Sequence, residues 1–376
     1  MSSTSTLPEY LMRWDHHKPQ VLMRDVVRTS HRLNEISLFT NEGLAALIDC
    51  YPPSLIEVTT MGTNPVYPSQ LSRGELGHIS GQSLLDVVRG GRLRVVFRNA
   101  NQTNPLLQSI TDRLIGELAE CQNIDATDSH QCDLVIESPG AMTYLDCDGI
   151  PTVRWQIRGS HRIWKYPVSP SGASASSTPG LGVSAAAIED RVCGGYRHRT
   201  SLYYEPLLED QATEILVPAG TMVCLPAFAP TRGIADGVGG MGALSVSLRT
   251  RFFDTQSRSQ FETVVGNQTL RKLGSQSLAF DANGFLTGFD ALGSLKRFVA
   301  RRFHPSTLAQ SALTSAAELL DPTFQVHAID ESLHRDTPQS LSDMPASSVA
   351  SANTSTALFP SLSFPAATSL FNQNET

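Results

Sequence analysis

Asp146 and Asp148 stand two residues apart in the stretch TYLDCDGIP, residues 143–151. In an extended strand, residues i and i+2 share a face, so the two carboxylates point together and Cys147 points away. Paired carboxylate oxygens suit a hard divalent cation. The same pair equally suits the flank of a turn at Gly149-Ile150-Pro151, where aspartate accepts local backbone hydrogen bonds. Other chemistry-bearing patterns read as structure. Gly237, Gly239 and Gly242 have the spacing of a dinucleotide-binding loop. That loop must follow a strand and open a helix, but here a strand-like run, ALSVSLRTRFF, follows directly. His16 and His17 read as a solvated pair. The six cysteines, at 50, 121, 132, 147, 193 and 224, show no Cys-x-x-Cys spacing, which fits reduced thiols rather than a zinc site or a disulfide frame.

The elements that must position the aspartates lie in residues 131–255. CDLVIESP, AMTYLDCD, PTVRWQIRG, HRIWKYPV, TEILVPAG, TMVCLPAF and ALSVSLRTRFF are short runs broken by Pro and Gly. Many short strands at this spacing predict a sandwich or barrel. A Ser/Gly/Pro-rich insertion at 169–184 reads as a flexible surface loop. Residues 1–130 mix helices with a strand. NEGLAALIDCYP starts a helix near Asn41, stopped by Pro52-Pro53, and QSLLDVVRGGRLRVVFRN reads as helix, glycine stop and strand. NPLLQSITDRLIGELAEC carries Asn104 as cap, Pro105 in its first turn, and a stripe of Leu107, Ile110, Leu114 and Leu118. Residues 256–334 turn helical again, through SQFETVVGNQTLRKLG and GFDALGSLKRFVARRF, and 335–376 has the composition of a disordered tail.

The order of these runs carries a resemblance. SPGAMTYLDCDGIPTVRWQIRGSHRIWKYPV resembles the metal-binding strand and following hairpin of JmjC-type proteins of the cupin superfamily. GRLRVVFRN and FETVVGNQTLRKLG resemble the flanks of a bacterial JmjC-like branch. The resemblance implies an α+β chain: a double-stranded β-helix (jelly-roll) core with helical N- and C-terminal flanks. It also implies Fe(II)- and 2-oxoglutarate-dependent hydroxylation, carried by a His-x-Asp, a later Gly-x-Lys, and a Pro followed five positions on by a second His. Here the first slot is Asp146-Cys147-Asp148. The second is Gly159-Ser160-His161, and the residue five after Pro226 is Thr231. The family metal positions are thus Asp146, Asp148 and Thr231. The cosubstrate positions are Thr143, where a binding hydroxyl can stand, and His161.

The departures from the pattern shape the functional expectation. A facial triad needs two imidazoles and one carboxylate, and only Asp148 keeps its family identity. Two carboxylates without imidazole favour a weakly bound hard cation over iron. The expectation is a non-catalytic binding or regulatory module with no resident cofactor. Its alternatives are an Fe(II)/2-oxoglutarate oxygenase with an unusual metal site, and an interaction protein acting through helical flanks and tail. Asp146 and Asp148 should face the barrel interior and repel each other. His161 would then approach them as an imidazolium and close the pocket. Trp155, Arg158, Trp164 and Tyr166 belong to the same hairpin, with alternation sending some outward. A net charge of -7 and a pI of about 5.8 argue against a general nucleic-acid binder. The absence of a long apolar run or a leader pattern predicts a cytoplasmic chain without a membrane span. The resemblance also implies a homodimer through the C-terminal helices.

Overall fold

A computed structural model of the chain describes residues 10–13, 25–122, 130–169, 182–193, 202–236, 243–254, 257–261, 263–264 and 322–328. The expectations for 14–24, the middle of the 169–184 insertion, the glycine run 237–242, most of 256–334 and the tail fall outside these residues.

The first third of the chain contains β1 (Met12–Arg13), β2 (Val27–His31), α1 (Asn41–Asp49), β3 (Ile56–Thr60), β4 (Ser72–Leu76), α2 (Gly81–Gly90), β5 (Leu93–Phe97), α3 (Ala100–Thr103) and α4 (Pro105–Gln122). Local chemistry sets the helix starts. Thr40, rather than Asn41, caps α1 by accepting from the Gly43 N–H at 3.2 Å. Asn104 Oδ1 accepts from the Leu106 and Leu107 N–H groups at 3.0 and 3.1 Å and opens α4. The predicted α4 stripe of Leu107, Ile110, Leu114 and Leu118 is fully buried.

The centre of the chain alternates between two sheets: β6 (His130–Glu137), β7 (Met142–Asp146), β8 (Thr152–Arg158), β9 (Ser160–Lys165), β10 (Val168–Ser169), β11 (Val183–Ser184), α5 (Ala185–Cys193), β12 (Thr213–Pro218), β13 (Thr221–Leu225), β14 (Thr231–Asp236) and β15 (Ser245–Phe252). Among the described residues, the small sheet runs β12-β9-β14-β7. The large sheet runs β1-β2-β13-β8-β15-β6-β5-β3-β4-β16, where β16 is Phe324–Val326. Strands β6, β8, β13 and β15 sit together in the large sheet and β7, β9, β12 and β14 in the small one, all antiparallel. This is a jelly-roll sandwich in an α+β chain.

The N-terminal region departs from the sequence reading. Among the described residues it contributes five strands, not one, and all of these extend the large sheet. Residues 324–326, within the region expected to be helical, form a strand parallel to β4. Edge strands carry weak sequence signals because their pairing is decided by a distant neighbour.

The two faces of the large sheet differ. Val153, Trp155, Cys132, Leu134, Ile136, Met222, Cys224, Val246 and Leu248 form one apolar cluster with the buried residues of α1, α2 and α4. Alternate residues point the other way. On β6, β8 and β15 these are Asp133, Glu137, Arg154, Gln156, Ser245, Ser247 and Arg251, all buried. That face meets the small sheet. Val223 of β13 packs with Ile163, Ile215 and Val217 of the small sheet, and His161 of β9 lies 3.5 Å from Glu137 of β6. The space between the sheets is therefore apolar in one part and densely charged in the other.

Candidate functional site

The two aspartates differ in setting. β7 ends at Asp146, and Asp148 lies beyond it, exposed, with its Oδ2 accepting from Thr152 Oγ1 at 3.1 Å. The strand ends because the chain turns towards Gly149 and Pro151, and the Asp148 carbonyl accepts from the Phe228 N–H at 2.7 Å. The turn-flanking alternative for Asp148 is the one the structure adopts, and the expected pair of inward carboxylates is corrected.

Asp146 is answered by a residue that sequence reading missed. Arg191 of α5 grips it bidentately, Nε to Oδ1 at 2.6 Å and Nη2 to Oδ2 at 2.7 Å. Its remaining acceptor capacity is partly used by the Cys147 N–H, which donates to Oδ1 at 2.9 Å. Burial works against the Arg191 charge, yet Asp146 and the nearby Asp148 hold its pKa well above the usual guanidinium value. The helix is seated by Ala185 and Ile188, which pack with Leu145, Tyr166, Leu202 and Leu208. A side chain at Gly149 would collide with Val192 of the same helix at 2.5 Å. α5 follows the Ser/Gly/Pro-rich segment, and nothing in its spacing from Asp146 signals the contact.

Thr231 opens β14 directly opposite Asp146 in the β14–β7 pairing. The register thus brings these two positions together. His161 and Thr143 are also brought close, through Gly233. A Cβ built on Gly233 would stand 2.4 Å from His161 Nε2 and 3.0 Å from Thr143 Oγ1. Only glycine leaves room there for the imidazole.

His161 does not approach the aspartates. It is buried, with Nδ1 3.5 Å from Glu137 Oε2 and no hydrogen-bond partner for Nδ1 among the described residues. Burial, then the positive charge of Arg154, lower its pKa to about 3. The ring is neutral at ordinary pH, and the expected imidazolium–carboxylate pair is corrected. The carboxylate nearest His161 is paired by Arg154, which donates Nη2 to Glu137 Oε2 at 2.6 Å and Nε to Gln156 Oε1 at 2.9 Å. Burial, the largest single influence, would raise the Glu137 carboxyl, but Arg154, His161 and Arg94 together outweigh it and the pKa falls to about 2.

A second charged group lines the same inward face. Asp133, fully buried, accepts from Arg98 Nη1, Arg249 Nη2 and Arg251 Nη2, each at 3.1 Å. Arg98 also grips Glu57, and Arg251 donates to Gln131 Oε1 at 2.8 Å. Asp133 lies opposite Arg249, and Thr152 opposite Arg251, in the strand register. Because Thr152 also holds Asp148, this arginine group stands at the Asp146–Asp148 end of the sandwich. Of the hairpin aromatics, Trp155 belongs to the helix-side core and donates to Thr250 Oγ1 at 3.0 Å. Tyr166 binds Glu209 at 2.6 Å, and Arg232 stacks on Trp164 at 3.9 Å. Arg158 donates to Asn41 Oδ1 at 2.8 Å.

The donor set does not fit Fe(II). The Asp146 carboxylate is committed to a guanidinium, Asp148 is turned to the rim, and Thr231 offers only a hydroxyl, where the ion favours imidazole with carboxylate. Among the described residues, no three His, Cys, Asp or Glu side chains gather as a metal site. No helix among them is long and apolar enough to cross a membrane.

No family model and no curated protein matches the chain. Solved structures similar to it include ycfD of E. coli, at 13% identity and TM-score 0.40, over 81% of this chain and 72% of that one. A complex of Escherichia coli YcfD, described as a ribosomal oxygenase, with cobalt and 2-oxoglutarate matches at 12% identity and TM-score 0.36, over 81% and 70%. At this identity and TM-score, the fold rests on the strand order above and the site on this chain's own residues.

Proposed function

We propose that the chain is a non-catalytic binding module built on a double-stranded β-helix of the JmjC kind. The observation that carries this reading is the bidentate Arg191–Asp146 pair, which places a fixed guanidinium on the carboxylate that stands opposite Thr231. A guanidinium offers no open coordination position and cannot activate oxygen. The neutral, buried His161 stands in the lysine slot of the family pattern and supplies no positive charge for a cosubstrate carboxylate.

The test is metal analysis of the purified full chain, together with a 2-oxoglutarate turnover assay in the presence of Fe(II). The expected result is sub-stoichiometric iron and no consumption of 2-oxoglutarate above a no-protein control. Stoichiometric iron with turnover would overturn the reading and restore the oxygenase alternative.

A further inference from the structure

A titratable ring sits at the corner where the first two strands join the large sheet. β1 and β2 end that sheet in the order β1-β2-β13, so their release breaks only the β2–β13 pairing. Met12 pairs with His31 and Arg13 with Ser30, while β2 runs along β13 from Val27–Cys224 to Ser30–Thr221. Glu117 of α4 accepts the Leu11 N–H at 2.9 Å and the Met12 N–H at 2.8 Å. The His31 N–H donates to the Gly220 carbonyl and the Arg32 N–H to the Leu11 carbonyl, both at 2.8 Å. The His31 ring accepts the Leu33 N–H on Nδ1 at 3.2 Å. Leu11, Met12, Val27 and Leu33 are buried in the helix-side core.

The bond to Leu33 fixes the state of the ring. Nδ1 accepts only through a free lone pair, so the neutral ring carries its proton on Nε2. An imidazolium has N–H on both nitrogens and would set Nδ1–H against the Leu33 N–H, leaving a buried donor unpaired. The ring is buried edge-on to Trp155, 5.9 Å between centroids, and its Nε2 has no hydrogen-bond partner among the described residues. The charged side chains of the elements around it are committed elsewhere or face water. Arg32 and Glu35 pair with each other at 2.6 Å, Arg28 donates to the Leu216 carbonyl at 3.3 Å, and Arg13 is exposed. On β8, Arg154 holds Glu137 and Arg158 donates to Asn41; on α4, Arg113 lies 3.3 Å from Glu117. Burial is therefore the largest influence on the ring and lowers its pKa to about 4, against a smaller raising effect of the Gln156 and Thr221 backbone.

We propose that His31 is an acid-sensitive latch: a proton on Nδ1 breaks the bond to Leu33 and releases β1 and β2 from β13 while the rest of the sandwich stays folded. Open, the ring meets water and titrates near 6.5. Closed, it refuses the proton down to about pH 4. As pH falls from 6.5 towards 4, acid favours the open form; above 6.5 the closed form keeps its full stability. Opening uncovers the β13 edge and the apolar places of Leu11, Val27 and Leu33. An unpaired edge is a template for another strand, so the latch puts a strand-pairing surface under pH control. The inference goes beyond the non-catalytic reading and does not depend on it.

The test is amide hydrogen exchange of the full chain at pH 7.5 and pH 5, corrected for intrinsic exchange rates. The reporters are the Leu11, Met12, His31, Arg32 and Leu33 amides, and the Leu134, Ile136 and Leu248 amides report the core. At both pH values the reporters should be less protected than the core, because they open without it. Reporter protection should fall about tenfold or more between pH 7.5 and pH 5, the linkage ratio for a ring that titrates at about 4 closed and near 6.5 open. His31→Asn places an oxygen acceptor where Nδ1 stands and cannot titrate, so its reporters should change by less than about threefold. His161→Asn, in the small sheet, should leave the reporter fall intact. Level reporter protection in the unchanged chain, or a full fall in His31→Asn, would overturn the latch. Reporter protection equal to that of the core, or a fall that His161→Asn lessens, would mean global unfolding and overturn it too. The His161→Asn comparison decides the matter if His31→Asn fails to fold.

Discussion

Gly233 shows how a single residue type decides the interior. Its missing side chain is the space that His161 Nε2 occupies, 2.4 Å from where a Cβ would be. Gly233→Ala should therefore destabilise the chain by about 1–3 kcal/mol, the usual range for overpacking a core. Denaturant unfolding of Gly233→Ala, His161→Ala and the double variant tests the cause. If the imidazole is what excludes the methyl group, the double variant loses clearly less than the two single losses added together. Strict additivity would show that the collision lies elsewhere. The same scale explains why Arg191 matters: a bidentate arginine–carboxylate pair fixes geometry as well as charge, which a lysine could not reproduce.

At the scale of elements, β16 is the least expected component. Its pairing depends on Gly74, because Phe324 lies over that residue and ring carbons would meet a Cβ at 2.2–2.6 Å. The strand is secured by the Thr323 N–H to Arg73 carbonyl bond at 2.8 Å and the Gly77 N–H to Val326 carbonyl bond at 2.9 Å. Gly74→Val should push Phe324 off and release β16, leaving the rest of the sheet paired. Amide hydrogen exchange checks this: the Thr323 and Gly77 amides should lose protection, while amides of β6, β8 and β15 keep theirs. Unchanged protection at Thr323 would refute the role given to Gly74.

For the whole molecule, buried histidines set the response to acid. His161 and His31 have pKa values lowered to about 3 and about 4, with burial the largest cause in both. Unfolded, each titrates near 6.5. Below pH 6.5 the unfolded chain takes up protons that the folded chain refuses, so folding stability falls as pH falls. The loss continues down to about pH 4 for His31 and about pH 3 for His161. Glu137, lowered to about 2, adds a loss of the same sign below its unfolded value of 4.5. Each histidine contributes about 1.4 kcal/mol per pH unit once well below its unfolded pKa. Unfolding midpoints in denaturant at pH 7.5, 6 and 5 should decline steadily, and less steeply in His161→Asn. Midpoints that stay level down to pH 5 would contradict the buried, neutral assignment.

The sequence by itself determined the elements whose signals are local. The α4 stripe with its Asn104 cap, the Gly90-Gly91 stop before β5, and the short central strands all follow from periodicity and turn chemistry within a few residues. The resemblance to JmjC-type proteins assigned Asp146, Thr231, Thr143 and His161 to one site, and the strand pairing sets Thr231 opposite Asp146 and Thr143 close to His161. What the sequence could not fix was where side chains go once strands end or sheets meet. Asp148 is exposed in a turn because β7 stops two residues earlier. Arg191 reached Asp146 from a helix 45 residues on, and His161 came to lie beside Glu137, which Arg154 pairs, rather than beside the aspartates. Ion pairs of this kind carry no periodic signature: a charge chooses its partner through three-dimensional distance and burial, and both exist only after the two sheets have packed.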